Sequence, residues 1–220
     1  MLSHRYQRRK MIRLTQADRD VAAPGMLALG LMALGLTALG CDPGGVGDPC
    51  VPEDEYRQQV AGYAVTEVNV ESRSFQCETR VCLVNHFQGR VSCPYGQTQE
   101  QINTTCANGG CNADTGEGCR VPGTYADPIT VPVKPQLAKR NADDAVYCSC
   151  RCDGPDSNAR YCECPSGFAC VELVEELNLG ATQLAGSYCI KEGTKYNTRD
   201  RTGEECNVAL QNCGNSGKNP

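Results

Sequence analysis

The sequence predicts a small disulfide-rich fold, mainly β with irregular loops and at most one short helix. Three observations point there. The 220 residues include 17 cysteines. Tryptophan is absent and phenylalanine occurs only at Phe75, Phe87 and Phe168, which leaves little bulk for an ordinary apolar core. The apolar runs are short and punctuated by Gly, Pro, Asn and Asp, the pattern of brief strands joined by turns.

The first 40 residues differ from the rest. A basic stretch holds Arg5, Arg8, Arg9, Lys10 and Arg13, and from Val21 to Gly40 no side chain is ionisable. Met26 to Leu39 is almost wholly Leu, Met, Ala and Gly, an apolar core of the signal-peptide type. Its length also suits an uncleaved transmembrane helix, the competing reading.

The run ends Thr37-Ala38-Leu39-Gly40-Cys41 and passes at once into the helix-hostile Asp42-Pro43-Gly44-Gly45. This junction resembles the lipobox of bacterial lipoproteins. The resemblance implies that residues 1–40 are a signal peptide, that Gly40 is the small residue before the cut, and that Cys41 is the lipid-attachment residue. Its thiol would carry diacylglycerol, and its new amino terminus a further acyl chain such as palmitate. The family pattern has Leu three residues before the cysteine, where this chain has Ala38 and then Leu39. The expected location is the bacterial cell envelope, outer membrane favoured, with the domain periplasmic or surface-exposed. Two or three acyl chains make such an attachment effectively permanent. Residues 41–49 are expected to form a flexible tether, being rich in Gly, Pro and Asp. Arg8-Arg9-Lys10-Met11-Ile12-Arg13 resembles a twin-arginine export signal. General secretion is the alternative route, and Met11 an alternative start.

With Cys41 assigned to lipid, 16 cysteines remain, an even number. Such density marks a disulfide scaffold in an oxidising compartment. The candidates are Cys50, Cys77, Cys82, Cys93, Cys106, Cys111 and Cys119 in an N-terminal lobe (50–119), and Cys148, Cys150, Cys152, Cys162, Cys164, Cys170, Cys189, Cys206 and Cys213 in a C-terminal lobe (146–213). Both lobes hold an odd number, so full pairing requires at least one bridge across the Pro-rich segment 121–142, which reads as an extended crossing or linker. Residues 214–220 read as a disordered tail.

Within the lobes, Val60 to Phe75 favours strands, and 77–93 reads as two short strands turned at Gln88-Gly89. Cys106 to Cys119 reads as loop. Cys148, Cys150 and Cys152 would share one face of a strand, with Cys162 and Cys164 repeating the arrangement across a turn at 153–158. Val171 to Asn178 is the helix candidate, with Val174 and Leu177 at helical spacing, though it is also compatible with a strand start. Cys162-Glu163-Cys164-Pro165-Ser166-Gly167-Phe168 resembles the end of an epidermal-growth-factor-like domain. The next cysteine, Cys170, follows the aromatic after a single residue, a departure that leaves a generic disulfide-rich turn.

No catalytic motif is present: Gly-x-Ser-x-Gly, His-Glu-x-x-His and the phosphate-binding Gly-x-x-x-x-Gly-Lys are all missing after Cys41. His86 is the only histidine there, which weakens any triad and reads as structural. No metal or cofactor is expected. The weighed alternatives are a zinc thiolate site from Cys148, Cys150, Cys152, Cys162 and Cys164, and calcium in the oxygen-rich loops 112–117 or 153–158. Removing the six basic and two acidic residues before Cys41 leaves 15 Lys plus Arg against 24 Asp plus Glu, net −9. That balance excludes nucleic acid as a partner. It also leaves membrane contact to the covalent lipid. The expected function is a non-enzymatic scaffold or binding protein whose partner is an envelope protein or glycan. The alternative is an exported hydrolase or thiol-redox protein built on His86 or a reactive cysteine.

Overall fold

The computed structural model describes residues 43–124, 127–175, 184–199 and 203–213, all within one compact unit, Cys41–Pro220. Residues 1–42, on which the signal-peptide and Cys41 readings fall, and residues 214–220, read as a tail, lie outside the described residues. Among the described residues no helix is long and apolar enough to cross a membrane.

The fold is small, disulfide-rich and mainly β. Two three-stranded antiparallel sheets form its frame. The first has β1 (Val68–Glu71), β2 (Val81–Asn85) and β3 (Val146–Ser149) in that spatial order. β2 is central because its Val-Cys-Leu-Val run suits a strand buried on both faces. Cys82 and Val84 pack on one side with Cys50, Cys77, Phe87, Ala142, Ala145, Val146 and Cys148. Leu83 points to the other, against Tyr147 and Tyr188. The second sheet has the order β4 (Arg151–Asp153), β6 (Gly186–Lys191), β5 (Phe168–Val174). Phe168, Leu173 and Val174 of β5 reach the same cluster as Leu83 and Tyr147, so both sheets contribute to that core.

Helix is confined to short pieces. Glu53–Tyr56 makes a 3-10 turn, and α2 (Ala142–Ala145) is a single turn capped by Asn141. α1 (Gln99–Gln101) continues as a π turn over Ile102–Cys106. It starts at Thr98, whose hydroxyl accepts from Gln101 N–H at 3.2 Å while the Gln101 side chain accepts from Thr98 N–H at 2.8 Å, a reciprocal capping box.

Several sequence expectations are corrected here. Of the two readings left open for Val171 to Asn178, Val171 to Val174 takes the strand: two β-branched valines and a ladder to β6 from Phe168 through Val174 override the helical spacing, and Glu176 to Asn178 fall outside the described residues. The stretch 77–93 supplies one strand instead of two. Gly89, at φ +84°, forms an isolated bridge to Tyr63. A Cβ at Gly89 would lie 2.3 Å from Lys134 O, so only glycine fits between those two backbones. The cysteine ladder is broken at Cys150: Ser149 still pairs with β2 while Arg151 pairs with β6. Cys162 and Cys164 are not in a strand, although Cys162 N–H donates to Arg151 O at 3.1 Å. Of the two readings of the Pro-rich segment, an extended crossing fits its packing: Ile129 and Val133 are buried with Cys93, Cys119 and Val121, and Val133 bridges Gln97.

The tether is corrected most sharply. Residues 43–49 are stitched to the domain: Gly44 N–H donates to Gln76 O at 2.7 Å, Gly47 N–H to Cys148 O at 2.8 Å, and Asp48 O accepts from Cys148 N–H at 2.8 Å. Pro49 bridges Tyr147. Gly47, at φ +100°, sits so close to Phe168 that a Cβ there would lie 2.7 Å from the ring. Gly and Pro are compatible with flexibility, but they also permit the close approach seen here.

Candidate functional site

Disulfides dominate the chemistry. The pairs are Cys50–Cys82, Cys77–Cys148, Cys93–Cys119, Cys106–Cys111, Cys150–Cys162, Cys152–Cys170, Cys164–Cys189 and Cys206–Cys213. All 16 cysteines after Cys41 are engaged. Cys77–Cys148 is the bridge that joins the two lobes, spanning 71 residues of sequence. Cys82 and Cys148 face each other in the β2–β3 register but bond outward, to Cys50 and Cys77.

Sulfurs of different bridges lie close together, with Cys189 Sγ 3.6 Å from Cys150 Sγ and 3.8 Å from Cys162 Sγ. Three triads arise this way: Cys50, Cys77 and Cys148; Cys150, Cys162 and Cys189; Cys152, Cys164 and Cys170. Each contains one bonded pair plus one sulfur of a neighbouring bridge. The zinc alternative invoked Cys148, Cys150, Cys152, Cys162 and Cys164, and in the bonded state none of these offers the thiolate that a metal requires.

The oxygen-rich loops use their oxygens on themselves. Asn112 Oδ1 accepts from Asp114 N–H at 3.0 Å, and Glu117 Oε2 from the Thr115 hydroxyl at 2.9 Å. Asp153 Oδ1 accepts from Gly154 N–H at 2.8 Å and Asp156 Oδ1 from Asn158 N–H at 2.9 Å. The Asn112 and Asp156 contacts are Asx turns.

His86 is half-buried in a structural setting. Its Nδ1 lies 3.1 Å from Val65 O and its ring stacks on Tyr196 at 3.8 Å. Arg140 pins the same stretch, its Nε donating to His86 O at 2.6 Å and its guanidinium also reaching Asn85 O and Thr194 O. With every described cysteine in a bridge, no thiol stands beside this imidazole.

Sequence reading missed a second buried device. Glu55 and Arg90 are both fully buried, with Arg90 Nε 3.8 Å from Glu55 Oε2. The carboxylate accepts from Val91 N–H at 2.6 Å, Ser92 N–H at 2.9 Å and the Ser92 hydroxyl at 2.6 Å. Arg90 donates to Val60 O at 2.6 Å, to Arg57 O at 3.4 Å and to Glu55 O. Burial pushes the Glu55 carboxyl above its ordinary range despite Arg90 and these hydrogen bonds. It pulls Arg90 down, with Glu55 opposing. Nearby Tyr63 is raised, first by burial and then by the charges of Glu55, Asp54 and Glu71. Nothing in one sequence signals this pair, since Glu55 lies within the ordinary-looking acidic run Glu53-Asp54-Glu55.

The described residues also form an open depression of about 170 Å³ lined by Gly47, Pro49, Asp143, Val146, Tyr147 and Lys191. Lys191 Nζ donates to Asp143 O at 2.6 Å, and the Tyr147 hydroxyl accepts from Lys191 N–H at 3.0 Å. It is too small for a typical metabolite, and its cation is already engaged. No family model, curated protein or solved structure matches this chain.

Proposed function

We propose that this chain is an exported bacterial lipoprotein, cut before Cys41, held in the cell envelope by lipid on that cysteine, and serving as a non-enzymatic scaffold or binding protein. The observation that carries the reading is the junction Thr37-Ala38-Leu39-Gly40-Cys41 at the end of an uncharged apolar run. Cysteine usage supports it: the 16 later cysteines pair among themselves, leaving no cysteine among the described residues to pair with Cys41. Eight bridges also favour an oxidising compartment over a reducing cytosol.

The chemistry of the domain favours display over turnover. Its lone histidine is tied into backbone contacts and its cysteines are bonded, so binding falls to loops held on a rigid cross-linked frame. The outer membrane is the favoured site, and a protein or glycan of the envelope the expected partner. Replacing Cys41 (Cys41→Ser) in the full chain should abolish incorporation of labelled fatty acid and leave uncleaved precursor. Labelling that survives the substitution would overturn the assignment.

A further inference from the structure

Gly44 is fixed to the segment 76–78: besides its bond to Gln76 O, its carbonyl accepts from Glu78 N–H at 2.9 Å, making a parallel bridge at Cys77. Cys77 is in turn bonded to Cys148 of β3. Only Asp42 and Pro43 separate Gly44 from Cys41. Three fully extended residue steps reach at most about 11 Å. Whatever the Cys41 thiol carries is therefore held within about that distance of Gly44, which the 76–78 segment fixes.

That loop displays the most exposed large apolar side chain among the described residues, Phe75, at 82%. It directly precedes Gln76, whose carbonyl holds Gly44. The Arg80 guanidinium lies 4.1 Å from the Phe75 ring centroid, and Arg73 and Arg80 are both exposed. Glu78 is the only acid in 72–80, so this short stretch carries a net positive charge in a domain that is otherwise acidic. An aromatic ring backed by guanidinium groups suits the level of a bilayer where acyl chains meet phosphates. The ring leaves water there, and arginine pairs with phosphate through two N–H groups.

We propose that the 72–80 loop is a phospholipid contact. Phe75 enters the interface of the leaflet that holds the Cys41 lipid, and Arg73 and Arg80 pair with its phosphates. The proposal rests on the lipid reading of Cys41. It replaces a domain held off the membrane on a free tether with one seated on the bilayer in a fixed orientation.

The chain has no tryptophan, so Phe75→Trp supplies a single reporter at a position exposed enough to leave the core intact. The full chain is expressed, and the processed lipid-bearing protein is reconstituted into phosphatidylethanolamine–phosphatidylglycerol vesicles with plain or brominated acyl chains. The expected result is a blue-shifted emission that brominated chains quench. Leu210→Trp, at a side chain 62% exposed in the Cys206–Cys213 loop, should keep a water-exposed emission without quenching. If the Phe75→Trp protein floats with the vesicles yet its indole emission is unshifted and unquenched, the loop contact is overturned while the lipid reading stands. Equal quenching at both positions also overturns it, because contact would then not be specific to the 72–80 loop. A mature mass without diacylglycerol, in protein that does not float, overturns the lipid reading and the loop contact together.

Discussion

The two sheets use disulfides differently. Around β1, β2 and β3, the bridges Cys50–Cys82 and Cys77–Cys148 are sunk into an apolar cluster with Val84, Phe87 and Val146, and all four sulfur-bearing residues are at most 2% exposed. Around β4, β6 and β5, only Cys150 and Cys189 are buried; Cys152, Cys162 and Cys164 are half-buried and Cys170 is exposed. In the first region the bridges lie inside a core, while in the second most of them lie towards its surface. Of the three phenylalanines only Phe87 lies in the first cluster; Phe168 packs from β5 onto Tyr147 and Tyr188, and Phe75 is exposed, so aromatic bulk is scarce in both regions and cross-links make up for it.

The largest effect should come from removing the bridge between lobes. Cys77→Ala with Cys148→Ala frees a 71-residue span, for which chain entropy alone gives about 4 kcal/mol. Urea unfolding of the lipid-free oxidised protein should show the loss as a lower midpoint. Next comes Glu55→Gln, which leaves Arg90 as a buried charge with a neutral neighbour and should cost about 3 kcal/mol. An unchanged midpoint would mean that the pair contributes nothing net.

In the second region the expected effect is smaller. Cys152→Ser with Cys170→Ser opens a bridge spanning 18 residues, for which the same chain entropy gives about 3 kcal/mol at most, since the Cys150–Cys162 and Cys164–Cys189 loops overlap it. Hydrogen exchange should show protection lost in β4, β5 and β6 and retained in β2 and β3. Loss spread evenly over both sheets would erase the contrast between them.

The smallest effect concerns pH. Burial raises the phenols of Tyr147 and Tyr188 above the ordinary value of 10.0. The folded state therefore holds these protons longer than the unfolded state does. Their contribution to stability is complete below pH about 10 and drains as pH rises through the raised values. Thermal midpoints measured across that range should fall, and absorbance of the folded protein should show the phenols of Tyr63, Tyr147 and Tyr188 ionising after the exposed ones.

Composition made the fold class legible, because cysteine density and the lack of aromatics are properties of the whole chain. The strand at Val81-Cys82-Leu83-Val84 was legible for a related reason: a run of β-branched and apolar residues has few other uses. What local pattern misses is partner choice. Val171-Glu172-Leu173-Val174 carries both helical spacing and β-branched residues, and pairing with Gly186–Lys191 decides between them. Residues 43–49 look like a linker because Gly and Pro lack side chains that announce contact. Their bonds run from backbone to backbone, with Gln76 and Cys148, and leave no mark on sequence. The Glu55–Arg90 pair is hidden for the opposite reason, since charged residues read as surface until their burial is seen.

Graded reduction reads the order in which the bridges open. The oxidised, lipid-free protein is exposed to increasing dithiol, the thiols that appear are alkylated at each step, and the modified cysteines are located by peptide mapping. Cys152 and Cys170 should be labelled first, with Cys150, Cys162, Cys164 and Cys189 following, and Cys50, Cys77, Cys82 and Cys148 should stay blocked until the protein loses its cooperative unfolding transition. Early labelling of Cys77 or Cys82 while Cys152–Cys170 remains closed would contradict the account, as would a fully reduced protein that still melts cooperatively near the oxidised temperature.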